Sequence, residues 1–389
     1  MLPIALAVLA QAPAAHALPF EIANNKPFVQ VTVNGSAPLW FVLDTGNNSN
    51  SILARECAER LQLKRGAEQR AQIGAGTGAD IGLATGSQTL HLSALGETLS
   101  VAEPMVFAMG HISRTEGRRI DGLLGNDFLS RHVIEIDYAR STMTVHDPAA
   151  YTPPPDAVVI PLQLDTGWPI VAGSITVPGG EPVPCNLIID TGVRGVVTLF
   201  RPFSERHHLY DVPNTLHQFV TGAGAGGISR GDIGRLDALV LGSRTFAEPV
   251  ATFSRDSSGI FSLDGPDGIV GGELLRRHRV TFDYPHARMI LEPYPAPATA
   301  YEYDMSGLFM AVDAPDYAKI RVMAVNPRTP AAEAGLQPDD EIVSIDGRRT
   351  PALTLDQARL LLRKPGPRQL QIRRGEELRP LRLEARRLI

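Results

Sequence analysis

The sequence predicts a mainly β protein: two tandem copies of one sheet-rich unit, followed by a small α+β module. Three observations predict this. An internal repeat holds a single register from Asp44 to Met143. Glycine (36) and proline (31) are abundant while aromatics are sparse (6%), which suits short strands joined by many turns. The pattern then changes from about residue 301, after a proline-rich stretch, where a different unit begins.

The repeat is the strongest of the three. Asp44-Thr45-Gly46 recurs as Asp190-Thr191-Gly192, 146 positions later. The same offset carries Asp121-Gly122-Leu123-Leu124-Gly125 onto Asp267-Gly268-Ile269-Val270-Gly271, Arg131-His132 onto Arg277-His278, and Asp137-Tyr138 onto Asp283-Tyr284. A chance match shares one tripeptide; it does not keep register over such a span. We read it as tandem duplication.

Each copy follows one plan. A short apolar run, 39–43 or 187–189, leads into the Asp-Thr-Gly and predicts a buried strand. Leu53, Cys57 and Leu61 repeat at helical spacing and predict a short helix. Glycine-rich segments follow, with Gly74, Gly76 and Gly78 in the first copy and Gly222, Gly224 and Gly226 in the second. They predict flexible hairpin tips. Alternating strands, 133–138 and 280–284, close each copy. Residues 148–157, containing Pro153-Pro154-Pro155, predict a semi-rigid linker.

The expected organisation is thus a leader at 1–17, a first lobe at 18–147, the linker at 148–157, a second lobe at 158–293, a second linker at 294–300 and the last module at 301–389. The leader is apolar, alanine-rich and ends Ala15-His16-Ala17, a small-x-small pattern that fits cleavage before Leu18. It lacks a basic start, so retention as a membrane anchor is the alternative. Either way an exported protein, periplasmic or extracellular, is expected. An oxidising compartment would permit Cys57 and Cys185 to pair, but they occupy unmatched places in the two copies, and two partly buried thiols are the expected state. A net charge of −5 without a dense basic block excludes a nucleic-acid field.

A lone Asp-Thr-Gly is commonly a turn. Two copies, each after an apolar strand and each followed by a glycine-rich hairpin and a Gly-apolar-apolar-Gly segment, point to chemistry. The arrangement resembles the retropepsin-like aspartic peptidases and, more distantly, the two-lobed pepsin-like enzymes, over residues 20–292. The resemblance implies acid-protease lobes forming a pseudo-twofold bilobal unit, with Asp44 and Asp190 as the catalytic pair inside one chain, so the site would be monomeric. Two carboxylates at one water cannot both ionise cheaply, so one proton is shared. The ionised group takes a proton from water and the protonated one supports the scissile carbonyl. The two aspartates are equivalent by sequence, so the roles stay unassigned at this level. Gly46 and Gly192 would let backbone N–H groups approach the carboxylates. The resemblance gives Thr45 and Thr191 the task of locking the halves together, and makes the glycine-rich tips flaps over an extended polypeptide.

Two departures stand out. Asn47 and Val193 replace the small Ala or Ser usual after the motif, and both are expected beside the substrate cleft. His132 and His278, at matched positions, are expected to be structural. No metal or cofactor is expected: His207-His208 lacks a zinc pattern such as His-Glu-x-x-His, and no Gly-x-Ser-x-Gly nucleophile motif occurs.

In the last module, Ser306-Gly307-Leu308-Phe309-Met310 resembles the carboxylate-binding loop of PDZ domains, and residues 325–347 resemble that family's central stretch. Residues 355–362, apolar at helical spacing, predict the helix beside the groove. The resemblance implies that Gly307, Leu308, Phe309 and Met310 bind peptide or protein C-termini by strand addition. The alternative is that the module only packs against the lobes, its groove empty or filled from within the chain. The expected function is an aspartic endopeptidase whose PDZ module recognises peptides or regulates access. The competing class is a non-catalytic peptide-binding protein built on an inactive protease frame.

Overall fold

The computed structural model describes residues 17–64, 68–71, 74, 80–84, 89–102, 104–224, 226–295 and 299–389. The protein is mostly β. In the first half the described strands form one sheet in the order Glu68–Ala71, Asp80–Ala84, Met105–Phe107, Ile52–Ala54, Gly122–Leu124, Leu39–Leu43, Lys26–Val33, Thr89–Ala94 and Glu97–Ala102. The second half repeats that order with Leu216–Gly224, Gly227–Arg235, Val250–Ser254, Val197–Leu199, Gly268–Val270, Val183–Ile189, Ile170–Thr176, Ala238–Leu241 and Arg244–Ala247. The strand before each Asp-Thr-Gly lies parallel to the Gly-apolar-apolar strand, Leu43 opposite Leu124 and Ile189 opposite Val270. Such strands are covered on both faces, so they read as unbroken apolar runs. Gly122 is required there: a Cβ on it would sit 2.3 Å from the Phe41 ring and 2.5 Å from Ile52 O.

A third sheet fastens the halves together. Val133–Asp137 runs antiparallel to His278–Asp283, with Glu135 opposite Thr281. Its full order is Ala17–Pro19, Thr142–His146, Val133–Asp137, His278–Asp283, Arg288–Pro293 and Val158–Pro161. The closing strands of the two copies are therefore paired with each other, and their apolar positions join one continuous core. Among the described residues no helix is long and apolar enough to cross a membrane. Residues 1–16 of the expected leader lie outside the described residues.

The helix expected around Leu53, Cys57 and Leu61 is shorter than its spacing suggests. Leu53 sits in the Ile52–Ala54 strand, and the helix spans Arg55–Arg60. The β-branched start and the pairing of Leu53 with Gly122 decide for strand at the first position. The two thiols are unpaired and buried, and burial pushes both up to about 12.

The C-terminal module is a sheet of Leu308–Val312, Ile320–Val325, Glu341–Ile345, Gly366–Arg374 and Glu377–Ala385, with Arg348–Arg349 at its margin. Helix Leu355–Leu362 has the bounds its periodicity predicts. Thr354 and Gln357 close a reciprocal capping box at its start. The module's own core begins at Met305, not at 301. Tyr301 packs into the core of the lobes, under the Arg277 guanidinium at 3.7 Å from its ring centroid, and Tyr303 packs there too.

Candidate active site

Each aspartate is placed by the end of its strand. The Asp44 N–H donates to Leu124 O (3.0 Å) and the Asp190 N–H to Val270 O (2.8 Å), after which each chain turns at its glycine. The turn points a glycine N–H back at the carboxylate: Gly46 to Asp44 Oδ1 at 3.0 Å, Gly192 to Asp190 Oδ1 at 2.6 Å. Each glycine also lies against the opposite aspartate. A Cβ on Gly46 would stand 2.1 Å from Asp190 Oδ2, and one on Gly192 2.5 Å from Asp44 Oδ1. The glycines therefore do more than free an N–H: they make the space in which the two carboxyl groups meet.

The threonines interlock. Thr45 Oγ1 donates to Ile189 O (2.7 Å) and accepts from the Thr191 N–H (3.0 Å). Thr191 Oγ1 donates to Leu43 O and accepts from the Thr45 N–H (3.1 Å). Both side chains are fully buried, so four backbone groups depend on two hydroxyls.

The two carboxyl groups meet across the loops, close enough for each to weigh on the other's ionisation. Burial raises both above the ordinary carboxylate range, and the charge of Asp44 raises Asp190 further. Lys26 favours the ionised form of both carboxyl groups, and loop N–H groups do so on each side, Gly46 and Asn47 at Asp44 and Gly192 at Asp190. Lys26 arrives on the tip of a hairpin whose turn residues, Asn24 and Asn25, both have positive φ (51° and 66°), the geometry of a type I′ turn. Its Nζ is 2.8 Å from Glu116 in a buried pair.

This position predicts a pH effect. A nearby cation stabilises the ionised carboxylates, so its removal raises their apparent pKa values. Lys26→Gln made together with Glu116→Gln, so that neither buried charge is left alone, is expected to move both limbs of the pH dependence of kcat/KM toward higher pH than in the parent. An unmoved or acid-shifted profile would deny Lys26 that influence.

The dyad opens into a cavity of about 490 Å³. Gly222 and Gly224, on the Leu216–Gly224/Gly227–Arg235 hairpin, line it, and Gly226 lies at the turn of that hairpin. The hairpin is tied down at both ends. His111 Nε2 donates to Gly224 O (2.7 Å), and the Val220 N–H donates to Asn326 Oδ1 (3.3 Å) of the C-terminal module. In the first copy Gly74 lines the cavity and its carbonyl accepts from the Ile260 N–H at 3.0 Å. Gly76 and Gly78 lie outside the described residues. Asn47 and Val193 line the cavity as expected. The Asn47 amide is turned into its own loop, donating to Asn50 O and accepting from Ser49, which fits it for shaping the loop. His132 and His278 each donate from Nδ1 to the carbonyl four residues back, Phe128 O and Leu274 O, and so finish a short helix.

The C-terminal module forms part of the same cavity wall through Leu308, Phe309 and Met310. Its loop is engaged from within. The carboxylate of Asp304 accepts from the N–H groups of Ser306 and Gly307, and the Leu308 N–H donates to Ser306 Oγ. Of the N–H groups expected to hold a peptide terminus, that of Gly307 holds the Asp304 side chain and that of Leu308 the Ser306 hydroxyl. The edge strand is occupied as well: Arg359 donates to Met310 O (3.3 Å) and Arg114 to Val312 O (3.0 Å). Further bonds bind the module to the lobes, Arg363 to Glu273 (3.0 Å) and Arg359 to Asn24 Oδ1 (3.0 Å) among them. Burial alone would raise Glu273, but Arg363 and Arg276 bring it down to about 2.

Trp168 was not foreseen. Its indole N–H donates to Gly46 O at 2.8 Å, bracing the first catalytic loop from the second lobe. Lys26 and Arg359 were missed for the same reason: nothing within the motifs points to residues so distant in sequence. Among the described residues no cluster of His, Cys, Asp and Glu could hold a metal.

Two lobes of one strand order, with an Asp-Thr-Gly loop from each meeting at a shared cavity, define an aspartic-protease type of architecture, here joined to a PDZ module. Comparison with known proteins agrees on both parts. Residues 29–128, which include Asp44 and the first backing segment, match the family model for aspartyl proteases, and residues 321–373 match that for PDZ domains. A carboxyl-terminal-processing protease of Synechocystis sp. (strain ATCC 27184 / PCC 6803 / Kazusa) is 36% identical over 87 residues, 22% of this chain. The chain covers 20% of that relative's length. A solved aspartic proteinase from Irpex lacteus aligns at 14% identity with a TM-score of 0.46, over 72% of this chain and 98% of its own.

Proposed function

We propose that this protein is an aspartic endopeptidase in which Asp44 and Asp190 activate one water. The observation that carries the reading is the pair itself: two carboxyl groups from matched loops, each lying against the glycine of the opposite loop. The ionised member of the pair takes a proton from the attacking water while the protonated member gives its proton to the scissile carbonyl oxygen. As the tetrahedral intermediate collapses, the first passes its proton to the leaving nitrogen and the second recovers one from a hydroxyl of the intermediate, so the pair ends as it began. The two lobes are read as products of duplication, and the leader as an export signal that places the enzyme in a periplasmic or extracellular compartment.

The PDZ module fits a role in access. It supplies one wall of the catalytic cavity, and its groove is bonded to the lobes on the Asn24, Thr115 and Glu273 sides. Polypeptides are the substrates this cavity suits, with the cleft reached past the flap and the module. Incubating the purified chain with an unbiased peptide library, beside Asp44→Asn, is the direct test. Cleavage products from the parent and none from the variant are expected. Equal products from both would refute the dyad, and no products from either between pH 3 and 8 would favour a binding protein on an inactive frame.

A further inference from the structure

The cavity that holds the dyad is lined by four cations: Lys26, Arg194, Arg359 and Arg363. Three are committed. Lys26 pairs with Glu116 (2.8 Å) and Arg363 with Glu273 (3.0 Å). Arg359 donates to Asn24 Oδ1, Thr115 O and Met310 O. Arg194 differs. Its backbone carbonyl accepts from Asn25, but among the described residues its guanidinium has no hydrogen-bond or ion-pair partner. Its charge reaches Asp304, Tyr303 and Arg359. Asp304, the natural acceptor, is turned instead toward Ser306 and Gly307.

The position is also one where the two copies differ. The repeat sets Arg194 against Asn48, whose amide is spent on Thr166 O at 3.0 Å. Only the second-lobe loop therefore presents an uncommitted cation to the cavity. Arg194 stands four residues after Asp190. An extended chain advances at most about 3.6 Å per residue, so the Arg194 Cα lies within roughly 14 Å of the Asp190 Cα, a span of about four residues of bound peptide. A guanidinium is a planar five-donor fork, always charged, and it matches a carboxylate in two-point geometry. Arg194 is half-buried, so water can satisfy the fork in the free protein and a bound carboxylate can take that water's place at two points.

We propose that Arg194 is a specificity-determining residue that receives a substrate carboxylate within about four residues of the cleaved bond. This deepens the peptidase reading and rests on it. The carboxylate has two possible sources, the free α-carboxylate of a chain end and an acidic side chain. The enclosure of this end of the cavity by the PDZ module favours the chain end.

The test uses one peptide sequence in three forms: free acid, C-terminal amide, and amide with an internal Asp placed within those four residues. Binding of each, labelled at its far N-terminus, is measured by fluorescence anisotropy at neutral pH to full-length Asp44→Asn, and kcat/KM is measured with the parent enzyme. The free acid is expected to bind roughly 10- to 100-fold tighter than the amide, the range of a charge-assisted bond. Adding Arg194→Gln should bring that ratio close to one, and Arg194→Lys should retain part of it. An advantage held by the internal-Asp amide also supports the subsite and identifies the side chain as its ligand. Equal binding of all three forms, or discrimination that survives Arg194→Gln, would overturn the proposal. Failure of the parent enzyme to cleave any form would remove the peptidase reading, while the binding ratios would still decide on Arg194.

Discussion

Asp190→Asn is expected to lower kcat/KM by about 10³ or more, in the upper part of the range for general acid–base groups, and to make the fold more stable at neutral pH. The second effect follows from the first group's burial. Asp190 is 6% exposed, and its carboxyl is held well above the ordinary range by burial and by the charge of Asp44. Above the unfolded carboxylate pKa, near 3.9, the unfolded chain releases this proton while the folded chain retains it, so the equilibrium shifts toward unfolding. Asparagine keeps the Gly192 N–H acceptor but has no proton to release. The gain should therefore be present at neutral pH and vanish below about pH 4. A rise in Tm of about 2–4 °C at pH 7 corresponds to roughly 1 kcal/mol in a domain of 150–250 residues. Thermal unfolding at pH 7 and pH 3 checks it: a variant less stable than its parent at pH 7 would contradict the buried, shared proton.

Thr191→Val is expected to cost about 2–5 kcal/mol, from two buried groups left unpaired at 1–3 kcal/mol each. Valine matches the shape of threonine but leaves Leu43 O without its donor and the Thr45 N–H without its acceptor. Thr191→Ser keeps the hydroxyl and should recover most of the loss. The same reasoning applies to Thr45→Val, through Ile189 O and the Thr191 N–H. Because these bonds cross between lobes, activity should fall with stability, as the carboxyl groups lose their common frame. Chemical denaturation of the valine and serine variants measures the difference. A loss below about 0.5 kcal/mol, the size of an ordinary surface change, would mean that the lobes are held by the six-stranded sheet alone.

The two Asp-Thr-Gly loops were legible because their determinants are local. A strand of apolar residues, an aspartate, a small turn and a backing Gly-apolar-apolar-Gly segment each leave a mark in sequence, and the common offset links them. Helix Leu355–Leu362 was legible for the same reason, its period and cap both lying within ten residues. The long-range determinants were not. Lys26 acts on the dyad from a hairpin tip whose Asn24-Asn25 turn is visible in the sequence but whose destination is not. Trp168 acts through a single long-range bond that no period or motif encodes. The PDZ loop illustrates the limit most clearly. Its glycine and apolar residues are where the family resemblance places them, yet Asp304, only three residues before Gly307, takes the N–H groups of Ser306 and Gly307. The strand at Leu53 was misread as helix because three residues of apolar spacing are compatible with both, and the pairing with Gly122 decides it.

The most direct test of the account is kcat/KM on one cleaved peptide across pH 3 to 8, for the parent, Asp44→Asn and Asp190→Asn. The parent is expected to give a single maximum bounded by two limbs, one where the pair gains a second proton and one where it loses the first, with both Asn variants inactive throughout. Cleavage by either folded Asn variant at a rate near the parent's, or a parent rate that does not change across that range, would contradict a proton-sharing pair of aspartates as the source of the activity.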